Sequence, residues 1–182
     1  GVYGASKLAG EEAVAAANPR HLILRTAWAY GPFGRNFLKT MLRLASDRDE
    51  IAVVADQWGN PTSALDLADA ILHATVRLRD DSNFSGFGVY HLVGSGDVNW
   101  SGFASYILDT SRELGGPYAR VREIATVDYP AKARRPANSR LSTMKFASAF
   151  EWTAPQWRRS TVEIVSRLVL REARQANIQL NQ

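Results

Sequence analysis

YGASKLAGEEAVAAANPRHLILRTAWAYG, residues 3–31, changes period halfway along. Leu8, Ala9, Ala13 and Ala16 recur at helical spacing, and Asn18-Pro19 ends the helix because proline disfavours helical backbone at the residue before it. From His21 an aliphatic and aromatic run, HLILRTAWAYG, bounded by Pro19 and Gly31, reads as one buried strand. A helix that returns at once into a buried strand is part of an α/β layer, and that reading sets the class of the whole chain.

The alternation continues downstream. NFLKTMLRLASDR (36–48) places Phe37, Met41, Leu44 and Ala45 on one helical face, and EIAVVAD (50–56) is a short strand. QWGNPT (57–62) is a turn-rich loop, and Ser63 caps a helix over 63–80. A strand over 88–96 precedes a helix over 100–116, with Ser101 as its cap and Gly115 as its stop. A strand over 121–126, a proline-bearing loop over 128–142, a short helix over 142–150 and a final helix over about 155–175 complete the chain. No internal repeat or low-complexity segment interrupts the pattern.

At 182 residues one domain is the expectation, and 46% apolar with 22% charged residues is an ordinary globular balance. No run approaches the roughly 18 to 20 apolar residues of a membrane span, so the reading is a soluble, cytoplasmic protein without a membrane partner. There is no Cys, and His21, His73 and His91 lack zinc spacing, so neither disulfide nor metal site is argued. The net charge is +4, and the Arg residues are spread from Arg20 to Arg174 and form no long block, which fits an anionic small molecule and does not call for nucleic acid.

Tyr3 and Lys7 are four residues apart on the opening helix, so their side chains share a face. An ammonium one turn away stabilises a phenolate, which readies the tyrosine to exchange a proton. That suits reduction of a ketone, in which hydride arrives at carbon while tyrosine protonates oxygen. The spacing alone is also compatible with an exposed helical turn, so its context decides.

That context is a set of segments in order: YGASKLAGEEAV, RTAWAYGPFGRNFLKTML, DQWGNPTSALDLADAI, GVYHLVGSGDVNWSGFA and ARRPANSRLS. Together they resemble the C-terminal part of the dTDP-4-dehydrorhamnose reductase family, within the extended short-chain dehydrogenases, over residues 1 to about 170. The resemblance implies a Rossmann-type fold with a substrate-binding portion. It implies that Tyr3 is the catalytic tyrosine and that Lys7 is its partner, which also holds the nicotinamide ribose of NADPH or NADH. It makes Trp28 the aromatic that packs on the deoxysugar, a core tryptophan on a buried strand being the alternative. Asn36 would approach the nucleotide diphosphate, or simply cap a helix. Gln57, Gly59, Asn60 and Pro61 would border the sugar nucleotide, although ordinary turn chemistry explains the Gly and Pro equally well. One of Arg134 and Arg135 would pair with the diphosphate, against a solvated surface pair. Arg25 reads as structural.

The glycine-rich dinucleotide fingerprint does not occur ahead of Tyr3, nor does an upstream Ser or Thr to polarise the carbonyl. The expectation is therefore the second part of a longer reductase. Residues 1–49 would be a remnant of the Rossmann domain, and 50–182 mainly the substrate-binding portion with interleaved Rossmann elements. The intact enzyme would reduce the C4 ketone of dTDP-4-dehydro-L-rhamnose for dTDP-rhamnose and cell-surface polysaccharide biosynthesis. The isolated chain is expected to be inactive, to hold no cofactor of its own and to form a homo-oligomer. The alternatives are another nucleotide-sugar epimerase or dehydratase, and a non-catalytic subunit of the same fold.

Overall fold

The structure, a computed structural model, describes residues 1–129 and 135–180, without the side chains of 172–180. The opening helix forms as α1 (Val2–Ala17) and ends at Asn18, which is already extended ahead of Pro19. The single strand expected over 21–31 is instead two, β1 (Leu22–Arg25) and β2 (Ala29–Tyr30). Trp28 between them takes a left-handed backbone, φ 48°, which breaks the extended run.

The strands assemble in pairs. β1 lies parallel to β6 (Gly88–His91), and β2 parallel to β5 (Thr62–Ser63). β3 (Glu50–Val54) lies parallel to β8 (Arg120–Ile124), while β4 (Trp58–Gly59) and β7 (Val98–Asn99) run antiparallel. The α/β class of the sequence reading holds, with mostly parallel pairing.

Helices cover these pairs and form two cores. One gathers Tyr90 and Leu92, from β6 and the residues after it, with Ala70 and Ala74 of α3 (Ala64–Asp80) and Phe146 and Phe150 of α5 (Met144–Phe150). The other joins β3 and β8 to α2 (Phe37–Ala45), α4 (Trp100–Glu113) and α6 (Trp157–Leu180) around Phe103, Ile107, Leu108, Trp157 and Ile164. Between the cores, Ser160 Oγ donates to Asp66 at 2.6 Å, and within the second core the Tyr30 hydroxyl donates to the Trp157 carbonyl at 3.2 Å. Burial pushes the Tyr30 hydroxyl well above the usual phenol range and raises the Asp66 carboxyl. Asp66 is thus a half-buried structural group.

Helix ends follow local chemistry in most places. Ser63 Oγ accepts from Leu65 and Asp66 N–H, and Gly115, φ 74°, follows the end of α4 in the left-handed conformation that suits glycine. The cap of α4 is Asn99, not Ser101: Asn99 Oδ1 accepts from Gly102 N–H at 2.9 Å, and Ser101 Oγ turns to Glu123 at 2.8 Å. Among the described residues no helix is long and apolar enough to cross a membrane, and no group of His, Asp and Glu is placed to hold a metal.

Candidate active site

Glu11 and Arg25 set where Tyr3 and Lys7 lie. Arg25 donates Nε to Glu11 Oε1 at 2.9 Å and Nη2 to Oε2 at 2.5 Å, and this guanidinium holds the Glu11 carboxyl below its ordinary value. Arg25 is structural, in line with the sequence reading. The C-terminus of α1 leads through a short turn into β1, while Glu11 meets the last residue of β1, so helix and strand run antiparallel. At about 1.5 Å per residue, Lys7 and Tyr3 are carried roughly 6 and 12 Å beyond Glu11, past the carboxyl end of β1. Ligands of open α/β sheets bind at that end of parallel strands. Lys7 Nζ lies 5.6 Å from the centre of the Tyr3 ring, and Tyr3 is 76% exposed. No described carboxylate pairs with Lys7.

The chain leaves β1 at this same end and reaches Trp28. Its ring stacks on Trp100 with centres 3.5 Å apart and planes 8° from parallel, and Phe37 adds a third ring 4.5 Å from Trp100. Trp28 Nε1 donates to Ser139 Oγ at 3.0 Å. Ser139 is itself fixed, its backbone N–H donating to the Trp58 carbonyl at 2.9 Å. Gly59 lies so close that a Cβ there would stand 2.4 Å from Trp28 Cε2 and 2.6 Å from Nε1. Trp28 is therefore a half-buried ring on a loop, stacked on Trp100 and closely approached by Gly59, and not a core residue within a continuous strand.

The polar residues singled out from the sequence are placed unequally. Asn36 caps α2, with Oδ1 accepting from Lys39 N–H at 3.1 Å and Nδ2 donating to the Gly31 carbonyl at 2.8 Å, so its amide is fully engaged within the chain. Gln57 is buried and donates to Thr126 Oγ1 at 2.9 Å. Thr126 in turn donates to Asp56, whose carboxyl these hydrogen bonds hold low. Asn60 ties three loops together, donating to the Gly96 carbonyl at 2.8 Å and accepting from Leu141 N–H at 2.9 Å. Arg135 is exposed, and Arg134 lies outside the described residues.

The site also contains residues that sequence reasoning assigned no role. Trp100 and Ser139 fall within the quoted segments, yet nothing local marks them as neighbours of Trp28 across 72 and 111 positions. Arg140 pairs with Asp97 at 3.0 Å and reaches over Trp58, 5.9 Å from the ring centre, adding a cation beside the aromatic patch. A cleft of about 700 Å³, lined by Arg35, Asn36, Lys39, Arg43, Pro117 and Leu168, runs along α2. Successive helical residues turn by about 100°, which sets Lys39 on the flank of α2 away from Phe37 and the aromatic patch.

The model of the RmlD substrate binding domain family matches residues 1–170. The dTDP-4-dehydrorhamnose reductase of Sinorhizobium fredii is 47% identical over 93% of this chain and 57% of its own length. A crystal structure of the corresponding reductase from Clostridium acetobutylicum is 37% identical, with a TM-score of 0.77 over 91% of this chain and 55% of that one. Another, from Bacillus anthracis in complex with NADP, is 35% identical, with a TM-score of 0.77 over 90% of this chain and 54% of that one. The chain spans about half the length of the curated relatives it matches.

Proposed function

Because the chain belongs to the RmlD substrate binding domain family, we propose that it forms the sugar-nucleotide side and supplies the proton-donating pair of a dTDP-4-dehydrorhamnose reductase. What supports this reading is the Tyr3–Lys7 pair, with Lys7 Nζ 5.6 Å from the ring centre of an exposed Tyr3, on a helix tied by Glu11 to Arg25 at the carboxyl end of β1. The substrate is dTDP-4-dehydro-L-rhamnose, and the product dTDP-L-rhamnose.

Tyr3 is the general acid: its hydroxyl gives a proton to O4 of the sugar as the ketone becomes an alcohol. Lys7 holds positive charge one turn away, where it stabilises the phenolate left behind and offers donors to ribose hydroxyls of a nicotinamide cofactor. When bound, that cofactor, NADPH or NADH, supplies hydride to C4. The fit is partial: Lys7 is open and free of described acid partners, while the G-x-G-x-x-G fingerprint that would hold the pyrophosphate does not occur in the 182 residues. Trp28 presents the apolar surface for the deoxysugar, with Gln57 and the loop to Pro61 at its border. Arg135 or Arg134 takes the diphosphate. Asn36 acts on the nucleotide through the placement of α2, since its own amide is engaged.

We place residues 1–49 with the Rossmann layer and most of 50–182 with the substrate-binding portion, in a cytoplasmic homo-oligomer. The exposed apolar residues Val2, Leu8 and Val14 of α1 support association. The test is a panel of sugar nucleotides offered with NADPH to a full-length reductase carrying this chain as its second half. Consumption of NADPH with dTDP-4-dehydro-L-rhamnose and none with UDP-linked 4-keto sugars is expected. The 182 residues alone should be silent. Interconversion of UDP-sugars without net NADPH consumption would replace the reading with an epimerase.

A further inference from the structure

Gly59 and Trp28 come from segments 31 residues apart and fit each other as a lock. The indole cannot yield toward Trp100, which already stacks on it at 3.5 Å. Nor is it free to turn in its own plane, because Nε1 is hydrogen-bonded to Ser139 Oγ, and Ser139 is fixed to the Trp58 carbonyl. Any side chain at 59 would meet Cε2, Nε1 and Cζ2 at 2.4 to 2.7 Å, well inside carbon contact distance. The backbone at Trp28 is left-handed, an unfavourable conformation for a bulky residue that survives only where its surroundings fix it.

We propose that Gly59, with Ser139, is a positioning residue that fixes the orientation of Trp28 and through it the reception of the sugar half of a dTDP-sugar. This rests on the reading of Trp28 as the surface for the deoxysugar. Gly59, on the loop that borders the sugar, acts through Trp28: its part is to leave the space that the indole fills. Positions 28 and 59 are then one coupled pair: a large ring at 28 requires glycine at 59, and a side chain at 59 requires a smaller ring at 28. Ser139 sets the remaining degree of freedom. The pair acts on the sugar and not on the thymidine diphosphate, because neither residue carries a charge to pair with phosphate.

The experiment is calorimetric titration of this chain with dTDP and, separately, with dTDP-L-rhamnose, for the wild type, Gly59→Ala, Trp28→Phe, the double variant and Ser139→Ala. The ratio of the two affinities isolates the sugar's contribution. Gly59→Ala and Trp28→Phe should each lower that ratio about tenfold, a usual coupling for residues in contact, and the double variant should lose no more than Trp28→Phe alone. Binding of dTDP itself should stay unchanged throughout, which a general loss of structure would not allow. Ser139→Ala adds no atoms and cannot clash, so it serves where Gly59→Ala fails to fold, with a selective loss in the same direction. Losses that multiply in the double variant, an equal loss for dTDP and dTDP-L-rhamnose, or a wild-type ratio in Gly59→Ala and Ser139→Ala would each overturn the proposal. Failure of the underlying reading looks different: the wild-type chain then gains nothing from the sugar, and the positioning role falls with it.

Discussion

Arg25 grips Glu11 with two prongs, and this pair joins the helix bearing Tyr3 and Lys7 to the strand beneath it. α1 has no buried residue of its own, so few other contacts secure it. The pair is partly exposed, and its importance lies in orientation more than in global stability.

Its pH dependence follows from the direction of the Glu11 shift. The carboxyl is held below its ordinary value of 4.5 by the hydrogen bond from Arg25, so the contact is complete above that value and is lost as pH falls below it through the folded-state value. Hydrogen exchange of the α1 amides should therefore accelerate below about pH 4.5 before the core opens. Glu11→Gln should show the faster exchange already at neutral pH. Exchange in α1 that follows the core at every pH would remove the pair from this role.

Self-association is the second expectation. Val2 is 89% exposed and Leu8 and Val14 about half exposed, a spread of apolar surface along one unpacked helix. β1 is hydrogen-bonded to β6 along one edge, and no described strand pairs with the other. Light scattering on the purified chain should give a mass above that of one copy at high concentration, reduced by Leu8→Lys. A monomer at all concentrations would contradict it.

The cap of α4 gives a local test. Asn99 Oδ1 accepts the Gly102 N–H and its Nδ2 donates to the Ala55 carbonyl at 2.7 Å, so one side chain satisfies a helix end and a loop. Asn99→Ala should cost about 1–2 kcal/mol in urea unfolding. Asn99→Asp keeps the cap and loses the bond to Ala55, and should fall between.

How far the sequence reaches depends on the range of the interaction. The helix over 3–17, its stop at Pro19, the Ser63 cap and the Gly115 stop rest on neighbours within a few positions, and each is legible. The break at Trp28 is not, because its cause is a ring 72 residues later and a glycine 31 residues later competing with local extended propensity. Ser101 and Asn99 are both good caps two residues apart, and the choice between them is made by Ala55 and Glu123, which no local rule sees. Asn36 shows the reverse case: both of its readings were open in the sequence, and the structure gives its amide to the cap. Tyr3 and Lys7 were legible by spacing, but their place past the end of β1 depends on the Glu11–Arg25 contact.

The central claim is that Tyr3 delivers the proton, and Tyr3→Phe in a full-length reductase carrying this chain tests it most directly. Removing one hydroxyl leaves the ring, Lys7 and the sugar surface in place. The turnover number for dTDP-4-dehydro-L-rhamnose with saturating NADPH should fall by about 10² to 10⁴-fold, the usual range for a lost general acid, with the affinity for dTDP-L-rhamnose unchanged. A turnover number equal to that of the wild type would assign the proton to another group and contradict the account.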